Sequence, residues 1–222
     1  MTTLAHIPLF AALDAADIRA LDLRCAWRKV KAGEWVIDHQ SDGMDVFFVF
    51  GGRARVVIGG SGREIILRDI NDGEYFGELS AIDGQPRSAG IVALTDATVA
   101  RMQATVFRET IHRHPSVCDM VMVALVGAIR ALNSRVDEQV NLDVRERLCS
   151  ELLRLSRKSG ESRVVVSPPP THAELAARIG THREAVTKAL SALEREGVIE
   201  RARGAFILTD VARLRQIIAE AR

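Results

Sequence analysis

Two short strings in the first half of the chain carry the groups that recognition of a phosphorylated sugar requires. They are Phe76-Gly77-Glu78-Leu79-Ser80 and Pro86-Arg87-Ser88-Ala89. The Glu78 carboxylate can accept a hydrogen bond from a ribose hydroxyl, and the planar guanidinium of Arg87 can donate two hydrogen bonds to a phosphodiester. Gly77 would let the backbone approach the sugar closely. These groups suit binding without catalysis, and the alternative is an ordinary ion pair on an exposed loop.

The composition is that of a globular chain with balanced charge. The 222 residues are 47% hydrophobic, and 30 Lys and Arg residues are matched by 29 Asp and Glu residues. This hydrophobic content suffices for packed cores, and any nucleic-acid binding must depend on local placement of basic residues. Cys25, Cys118 and Cys149 have no Cys-x-x-Cys spacing, which disfavours a disulfide framework, a zinc site and an iron–sulfur cluster.

The chain shows no sequence signal for secretion or for a membrane. No basic, apolar leader follows Met1, and the longest apolar run, residues 121–129, is too short to cross a bilayer. A Walker loop, a Gly-x-Ser-x-Gly elbow and a His-rich metal motif are also missing from the sequence. We therefore expect a cytoplasmic protein without a membrane partner, a metal or catalytic residues.

Residues 27–102 predict an antiparallel barrel or roll, because short β-branched and aromatic runs alternate with turns. A short helix with Asp14 as its N-cap should precede them. The predicted strands are 35–37, 46–50, 54–58, 65–67, 91–93 and 98–100, and the turns are Asp42-Gly43, Gly51-Gly52, Gly59-Gly60, Asp72-Gly73 and Asp83-Gly84.

Beyond Pro115 the apolar period becomes helical, with two stripes. One contains Met122, Leu125, Ile129, Leu132 and Val136, and the other contains Val117, Val121, Ala124, Ala128 and Ala131. Two stripes need two partners, so one could cover the roll while the other pairs with a second copy in a parallel coiled coil. The alternative is one helix buried in a monomer. A second helix should restart at Asn141 and run to Leu155, with a hinge between Asp137 and Asp143.

The last third of the chain predicts a helix-turn-helix followed by a hairpin. Thr171-His172-Ala173-Glu174 and Thr181-His182-Arg183-Glu184 both have the capping-box pattern, and Gly180 lies between them. The second helix should bury Ala185, Val186, Ala189, Leu190 and Leu193. In its exposed first turn, Arg183 could donate to guanine and Glu184 could accept from cytosine, with Lys188 one turn further on. The alternative is a packing scaffold with solvated charges.

The remaining segments complete this small domain. Residues 156–170 predict a loop with a short strand at 164–166. Residues 199–208 predict a hairpin that turns at Arg203-Gly204, and Asp210 should cap a last helix. Arg201 and Arg203 in the hairpin could rest on phosphates beside the groove.

These motifs resemble the catabolite activator protein (Crp/Fnr) family. The Gly-Glu-Leu-Ser and Pro-Arg-Ser-Ala strings are similar to its phosphate-binding cassette, and residues 180–190 and 193–199 look like its recognition helix and the start of its wing. Glycine positions at Lys31-Ala32-Gly33-Glu34, 48–52 and 73–78 extend the likeness across the roll. The resemblance implies an α+β fold: an antiparallel, jelly-roll-like cyclic-nucleotide-binding domain at 1–114, a dimerisation helix and hinge at 115–140, and a winged helix-turn-helix domain at 141–222.

The resemblance also implies a function. It indicates a homodimeric transcription regulator that binds a palindromic DNA operator, contacts RNA polymerase and has no cofactor beyond an allosteric cyclic nucleotide, cAMP or alternatively cGMP. The implied nucleotide contacts are Gly77, Glu78, Leu79, Ser80, Arg87, Ser88, Ala89, Leu132 and Asn133. The implied DNA contacts are Thr181, His182, Arg183, Glu184, Thr187, Lys188, Arg201 and Arg203.

Two departures from the family pattern bear on specificity. Leu132 and Asn133 occupy the place of a Thr-Ser pair that contacts adenine in the best-known members. Leu132 can pack on a base but cannot hydrogen-bond it, whereas Asn133 can hydrogen-bond adenine or guanine. The alternative is that Leu132 is a residue of the dimer seam and Asn133 is solvated. Lys188 replaces a common Arg at a base-reading position. A haem or redox sensor on the same scaffold stays an alternative, although His39, His112 and His114 make no obvious ligand pair.

Overall fold

The computed structural model describes residues 2–59, 64–160 and 163–221. The chain divides into two compact units, Met1–Ala128 and Ile129–Arg222, and the division falls inside one long helix. Each unit has a hydrophobic core of its own. The predicted turn at Gly59-Gly60 lies partly outside the described residues, which include only Gly59 of the pair.

The first unit is an antiparallel roll flanked by helices, as the sequence predicts. Its strands form two sheets of four, ordered β1-β8-β3-β6 and β2-β7-β4-β5. In chain order the elements are α1 (Ala15–Asp22), β1 (Cys25–Val30), β2 (Trp35–Ile37), β3 (Val46–Phe50), β4 (Arg53–Ile58), β5 (Ile65–Asn71), β6 (Tyr75–Phe76), α2 (Glu78–Asp83), β7 (Gly90–Ala93), β8 (Ala97–Met102), α3 (Ala104–Arg113) and the start of α4 (Pro115–Asn141).

The strand β3 explains why this unit has two apolar layers. All five of its residues are buried, because successive side chains point to opposite faces and both faces are covered. Phe48 belongs to the cluster that the flanking helices cover, and Val49 belongs to the cluster between the sheets. The six predicted strands are present, whereas the prediction does not include strands at β1 and β6 or the helix α3.

The helix α4 is longer than its most apolar run. By length and composition it is the one helix among the described residues that could cross a membrane, so residues 121–129 alone understate its apolar length. Its first turns are instead packed in protein, since Val117 and Val121 are buried in the core of the roll. Its last turns are hydrogen-bonded within the second unit through Gln139. Both ends of α4 are therefore held by contacts with the rest of the protein.

The second unit is a small helical domain with one antiparallel sheet. The sheet order is β11-β12-β10-β9, and the core joins Leu148 and Leu152 to Leu175 and Leu190. Its elements are the end of α4, α5 (Val144–Leu155), β9 (Arg157–Ser159), β10 (Arg163–Val166), α6 (His172–Ile179), α7 (Arg183–Arg195), β11 (Ile199–Ala202), β12 (Ala205–Leu208) and α8 (Val211–Glu220). The predicted wing hairpin is confirmed as β11 and β12.

The break between α4 and α5 is shorter than the hinge predicted between Asp137 and Asp143. The chain is helical as far as Asn141, whose Nδ2 donates a hydrogen bond of 2.7 Å to the Asp137 side chain. Only Leu142 and Asp143 separate α4 from α5, so the prediction that a new helix starts at Asn141 is wrong. Asp143 forms a capping box with Glu146, and this box is what restarts the helix.

Of the two capping boxes predicted in the helix-turn-helix, only the first is formed. Thr171 and Glu174 cap α6 reciprocally, as expected. Thr181 does not cap α7; its N–H instead donates to the Ala176 carbonyl at 3.0 Å, next to Gly180 in the left-handed conformation. That arrangement closes α6 and displaces the start of α7 by one residue. His182 is consequently the N-cap, without a side-chain capping bond.

Candidate functional site

The guanidinium of Arg87 is buried in the first unit without an acidic partner. The residue is 5% exposed. Its Nη1 donates to the Gly77 carbonyl at 2.9 Å and its Nη2 to the Asp45 carbonyl at 2.7 Å. Its Nε is buried and has no hydrogen-bond partner. Among the described residues no carboxylate forms an ion pair with Arg87, and the nearby Asp45 and Glu78 offset the cost of its burial only in part.

Gly77 is required by this arrangement. Its φ of +88° is unfavourable for residues with a Cβ. A Cβ at this position would also lie 2.6 Å from Nη1 of Arg87 and 2.7 Å from the Asp45 carbonyl oxygen. The close approach of the backbone to the guanidinium therefore requires glycine at position 77. The sequence also predicts a close approach at Gly77, but the approach of a sugar.

Glu78 begins α2 beside this buried cation. Burial raises the pKa of its carboxyl group, and the nearby charges of Arg68 and Arg87 oppose that rise. Burial likewise lowers the pKa of Arg87, opposed by Asp45 and Glu78. Each charged form is disfavoured by dehydration and only partly stabilised by the other. A ligand that offers a hydroxyl to the carboxylate and an anionic oxygen to the guanidinium would stabilise both.

The other predicted nucleotide contacts differ in accessibility. Leu79 and Ser88 are exposed, Ala89 is half-buried and Ser80 is buried. Leu132 and Asn133 lie on α4 in the second unit, and both are exposed. The structure thus brings Gly77, Glu78 and Arg87 together, within one unit.

The predicted DNA contacts form one exposed surface at the start of α7, which we call the recognition helix. His182, Arg183, Glu184, Thr187 and Lys188 are exposed, and Thr181 is half-buried. Five residues on the opposite face are predicted to be buried. Four of them are buried, Val186, Ala189, Leu190 and Leu193, and Ala185 is half-buried. The helix is anchored by its apolar face, and its polar face is exposed to solvent.

The hairpin residues are placed differently from each other. Arg201 donates from Nε to Glu194 at 3.0 Å, and its guanidinium lies 5.6 Å from the centre of the Phe206 ring. Arg203 is exposed at the turn of the hairpin. Arg201 is therefore positioned by contacts of its side chain, whereas the Arg203 side chain makes no hydrogen bond or ion pair with the part of the chain that the structure describes.

Comparison with known proteins places these sites in a family. A model described as a cyclic nucleotide-binding domain matches residues 27–114, and one described as a Crp-like helix-turn-helix domain matches residues 146–217. The cyclic AMP receptor protein of Thermus thermophilus is 30% identical over 214 residues, which cover 95% of this chain and 96% of the relative. The chain belongs to the Crp/Fnr family of transcription regulators.

Solved structures agree with this membership. A Crp/Fnr-family transcriptional regulator from Thermus thermophilus is 26% identical with a TM-score of 0.68, over 89% of this chain and 100% of its own. The regulator CLP from Xanthomonas campestris, described as responsive to c-di-GMP, has the same fold at 19% identity and a TM-score of 0.75, over 88% of this chain and 99% of its own. Members of the family are DNA-binding regulators rather than enzymes, and the two matched domains bind a cyclic nucleotide and DNA.

A buried charge cluster that positions the DNA-binding helices has no counterpart in the sequence motifs. Glu151 on α5 is 1% exposed and pairs with Arg178 on α6 at 3.4 Å and with Arg135 on α4 at 3.7 Å. It also bonds Arg154 one turn along α5, and Arg154 reaches Glu138 at 2.7 Å. A Glu within an amphipathic helix is normally solvated, and its partners here come from distant parts of the chain, so no local pattern marks it.

Proposed function

We propose that this chain is a homodimeric transcription regulator gated by cAMP, which binds a palindromic operator with TGTGA-like half-sites. The observation that carries the ligand part is the buried guanidinium of Arg87, with backbone carbonyls as its hydrogen-bond partners and one unpaired donor. A buried charge without an ion-pair partner is costly, and an anion that fills the site lowers that cost.

The charges around Arg87 favour a phosphodiester over more highly charged phosphates. Glu78 lies close enough to influence the pKa of Arg87, so a second negative charge on the ligand would be repelled. The same carboxylate supplies an acceptor for a ribose 2′-hydroxyl. A single anionic charge beside a free hydroxyl is the combination found in a cyclic nucleotide, with Leu79, Ser80, Ser88 and Ala89 as further contacts in the cassette.

The base preference is assigned from the relatives and from two residues of α4. Two of the relatives are named as cAMP-activated regulators, and this supports cAMP as the ligand of this chain. We propose that Leu132 packs on the base and Asn133 hydrogen-bonds it. Because an amide both donates and accepts, Asn133 could also serve a guanine, so cGMP is the second candidate. A haem or redox sensor is the remaining alternative and would leave the Arg87 charge without a role.

The exposed apolar face of α4 supports the proposed dimer. Met122, Val126, Ile129, Val136 and Val140 are all exposed. When Asn133 is included between Ile129 and Val136, successive members of this series are alternately four and three residues apart. This is the heptad pattern of a two-stranded coiled coil. A face of this pattern fits a second copy of itself better than an unrelated partner. Asn133 would then fall at a seam position where one polar residue favours two parallel strands.

We assign DNA recognition to the first turns of the recognition helix. Arg183, Glu184 and Lys188 are the base readers, with Thr181, His182 and Thr187 beside them, and Arg201 and Arg203 contact phosphates from the wing. The remaining partner is RNA polymerase and the compartment is the cytoplasm. Transcription with purified polymerase, with and without cAMP, tests the polymerase assignment.

Calorimetric titration of the purified dimer with cAMP and cGMP tests the ligand. We expect saturable binding of one nucleotide per protomer, tighter for cAMP. Asn133→Ala should change the ratio of the two affinities, while Val123→Ala, a neighbouring exposed position outside the seam series, should not. Absence of binding by either nucleotide, together with a haem absorption band, would establish the sensor alternative. Analytical ultracentrifugation of wild type and Ile129→Asp tests the seam: only the variant should be monomeric.

A further inference from the structure

His172, the first residue of α6, contacts the recognition helix. Its ring Nδ1 lies 2.8 Å from the Thr187 hydroxyl oxygen on α7. The residue is half-buried, and the hydrogen bond joins the two helices at the surface that carries Arg183 and Lys188. His172 is not among the predicted DNA contacts, since the Thr171-to-Glu174 pattern assigns it only to a helix start.

The direction of this hydrogen bond fixes the tautomer of the ring. A hydroxyl has a single proton, and that of Thr187 is donated to the Arg183 carbonyl at 3.0 Å. With its proton given to that carbonyl, Thr187 accepts from His172, and we assign the ring the tautomer with a proton on Nδ1. In a neutral ring Nε2 then carries only a lone pair, and within the described residues Nε2 makes no hydrogen bond.

The groups around the ring disfavour its protonation in the free protein. Burial lowers the pKa of His172, and the positive charges of Arg201 on β11 and Arg183 on α7 lower it further. Glu194 on α7 acts in the opposite direction, but its carboxylate is already hydrogen-bonded to Arg201. A negative group brought to Nε2 would reverse this balance.

DNA would bring such a group. When the second helix of a helix-turn-helix enters the major groove, the first helix crosses the phosphate backbone. We propose that His172 takes up a proton from solvent when the protein binds DNA and donates its Nε2–H to a backbone phosphate, which makes DNA affinity depend on pH. The inference rests on the assignment of α7 as the recognition helix. The Thr187 contact survives protonation because both ring nitrogens donate in the charged form.

Fluorescence anisotropy across about pH 5.5 to 8 tests the inference, since histidine changes charge in this range. The probes are a duplex with two inverted TGTGA half-sites and a scrambled duplex of equal length, both with saturating cAMP. A phosphate contact predicts weaker binding of both duplexes as pH rises. The slope cannot exceed about tenfold per pH unit for each His172 that takes up one proton.

Four variants identify the group. His172→Asn retains a donor at the Nδ1 position but cannot be protonated, so the pH dependence should disappear and binding at pH 8 should stay near that of wild type. His172→Arg should bind tightly and independently of pH. His112→Asn, on α3 in the other unit, should behave as wild type. Loss of the slope in His182→Asn, with retention in His172→Asn, would overturn the inference.

Direct titration by NMR closes the test. The His172 ring resonance should titrate at a higher pH in the DNA complex than in the free protein, and calorimetry in two buffers of different ionisation enthalpy should report proton uptake. DNA binding with equal pH slopes in wild type and His172→Asn would overturn this inference alone. Absence of DNA binding at every pH would overturn the DNA-binding assignment as well.

Discussion

Gln139, two residues before the end of α4, donates a hydrogen bond of 2.9 Å from its Nε2 to the carbonyl oxygen of Ile179, the last residue of α6. Its Oε1 accepts a hydrogen bond of 2.8 Å from Arg147 on α5. One side chain thus connects the long helix to α5 and to the turn that leads into the recognition helix. Gly180, which forms that turn, has a φ of +66°, and a Cβ there would lie 2.8 Å from Nε2 of Gln139.

Gly180→Ala should therefore be more damaging than backbone strain alone predicts. Gly197 is the matched control, because its φ is +71° and a Cβ added to it would have no neighbouring atom within 4 Å. Gly197→Ala should cost about 1–2 kcal/mol from left-handed strain. Gly180→Ala should cost more, and the excess should shrink in a Gln139→Ala background. Hydrogen exchange of amides in α6 and α7 measures these costs, and equal costs for the two glycines would contradict the prediction.

Local sequence signals predict the parts of this fold that are determined locally. The Thr171 and Glu174 box, the Asp14 and Asp210 caps and the alternation of strands and turns each involve residues close in sequence, and each is present in the structure. The prediction of a second capping box is wrong because the N–H of Thr181 donates to the Ala176 carbonyl at the end of α6. Signals from neighbouring residues cannot decide between two helices that compete for one residue.

The candidate site shows the same division between local and distant contacts. Glu78 and Arg87 are marked by their residue types and spacing. The carbonyl that holds Nη2 of Arg87 belongs to Asp45, 42 residues away, and no side-chain pattern reports a backbone acceptor. The Gln139 bond to Ile179 spans 40 residues and is hidden for the same reason. Contacts of this kind depend on how strands and helices pack, so they require the structure.

Arg87→Leu should weaken cAMP binding by about 1.5–3 kcal/mol, the range for a hydrogen bond to a charged group. The loss should appear equally for cGMP, because the guanidinium contacts the phosphate and not the base. Arg101→Leu provides a control in the same unit, since Arg101 is half-exposed and pairs with the Asp45 side chain at 3.5 Å. Unchanged nucleotide affinity in Arg87→Leu would exclude the assigned site.

Glu78→Gln should separate binding from stability. Because burial raises the pKa of Glu78 above its ordinary value, the ionised carboxylate is disfavoured in the folded state. Its ionisation therefore lowers stability as pH rises through that raised pKa, and the amide removes this cost. Without ligand the variant should melt no lower than wild type at neutral pH, yet it should bind cAMP more weakly. Both tryptophans, Trp27 and Trp35, lie in the first unit and report its melting; a lower melting temperature for the ligand-free variant would contradict the prediction.

Arg183→Ala should relax the sequence preference at one base pair. If Arg183 contacts guanine, the variant should lose about 1–3 kcal/mol on its cognate site and little on a site already substituted at that pair. Arg203→Ala is the comparison, because a phosphate contact from the wing should weaken all sequences alike. Competition binding with single-substituted duplexes distinguishes the two patterns. Uniform weakening by Arg183→Ala would make it a phosphate contact instead.

The nucleotide and the operator should strengthen each other's binding, and we expect α4 to transmit the effect. The base-contacting position proposed for Asn133 and the Gln139 link to Ile179 lie on one continuous helix, α4. A change in the α4 seam would be passed to the turn at Gly180 by Gln139 and by the Glu151 cluster, while the short break at Leu142 and Asp143 allows α5 to reorient.

Such coupling is reciprocal. Operator DNA must tighten cAMP binding by the same factor by which cAMP tightens operator binding, typically about 1–3 kcal/mol. Calorimetric titration of cAMP with and without saturating operator measures this factor. Gln139→Ala should reduce the factor while leaving cAMP affinity without DNA unchanged; Gln216→Ala, which loses an exposed amide contact to Glu220 on α8, should leave both unchanged. Equal cAMP affinities with and without operator in the wild type would describe a protein that binds both ligands without being switched by either.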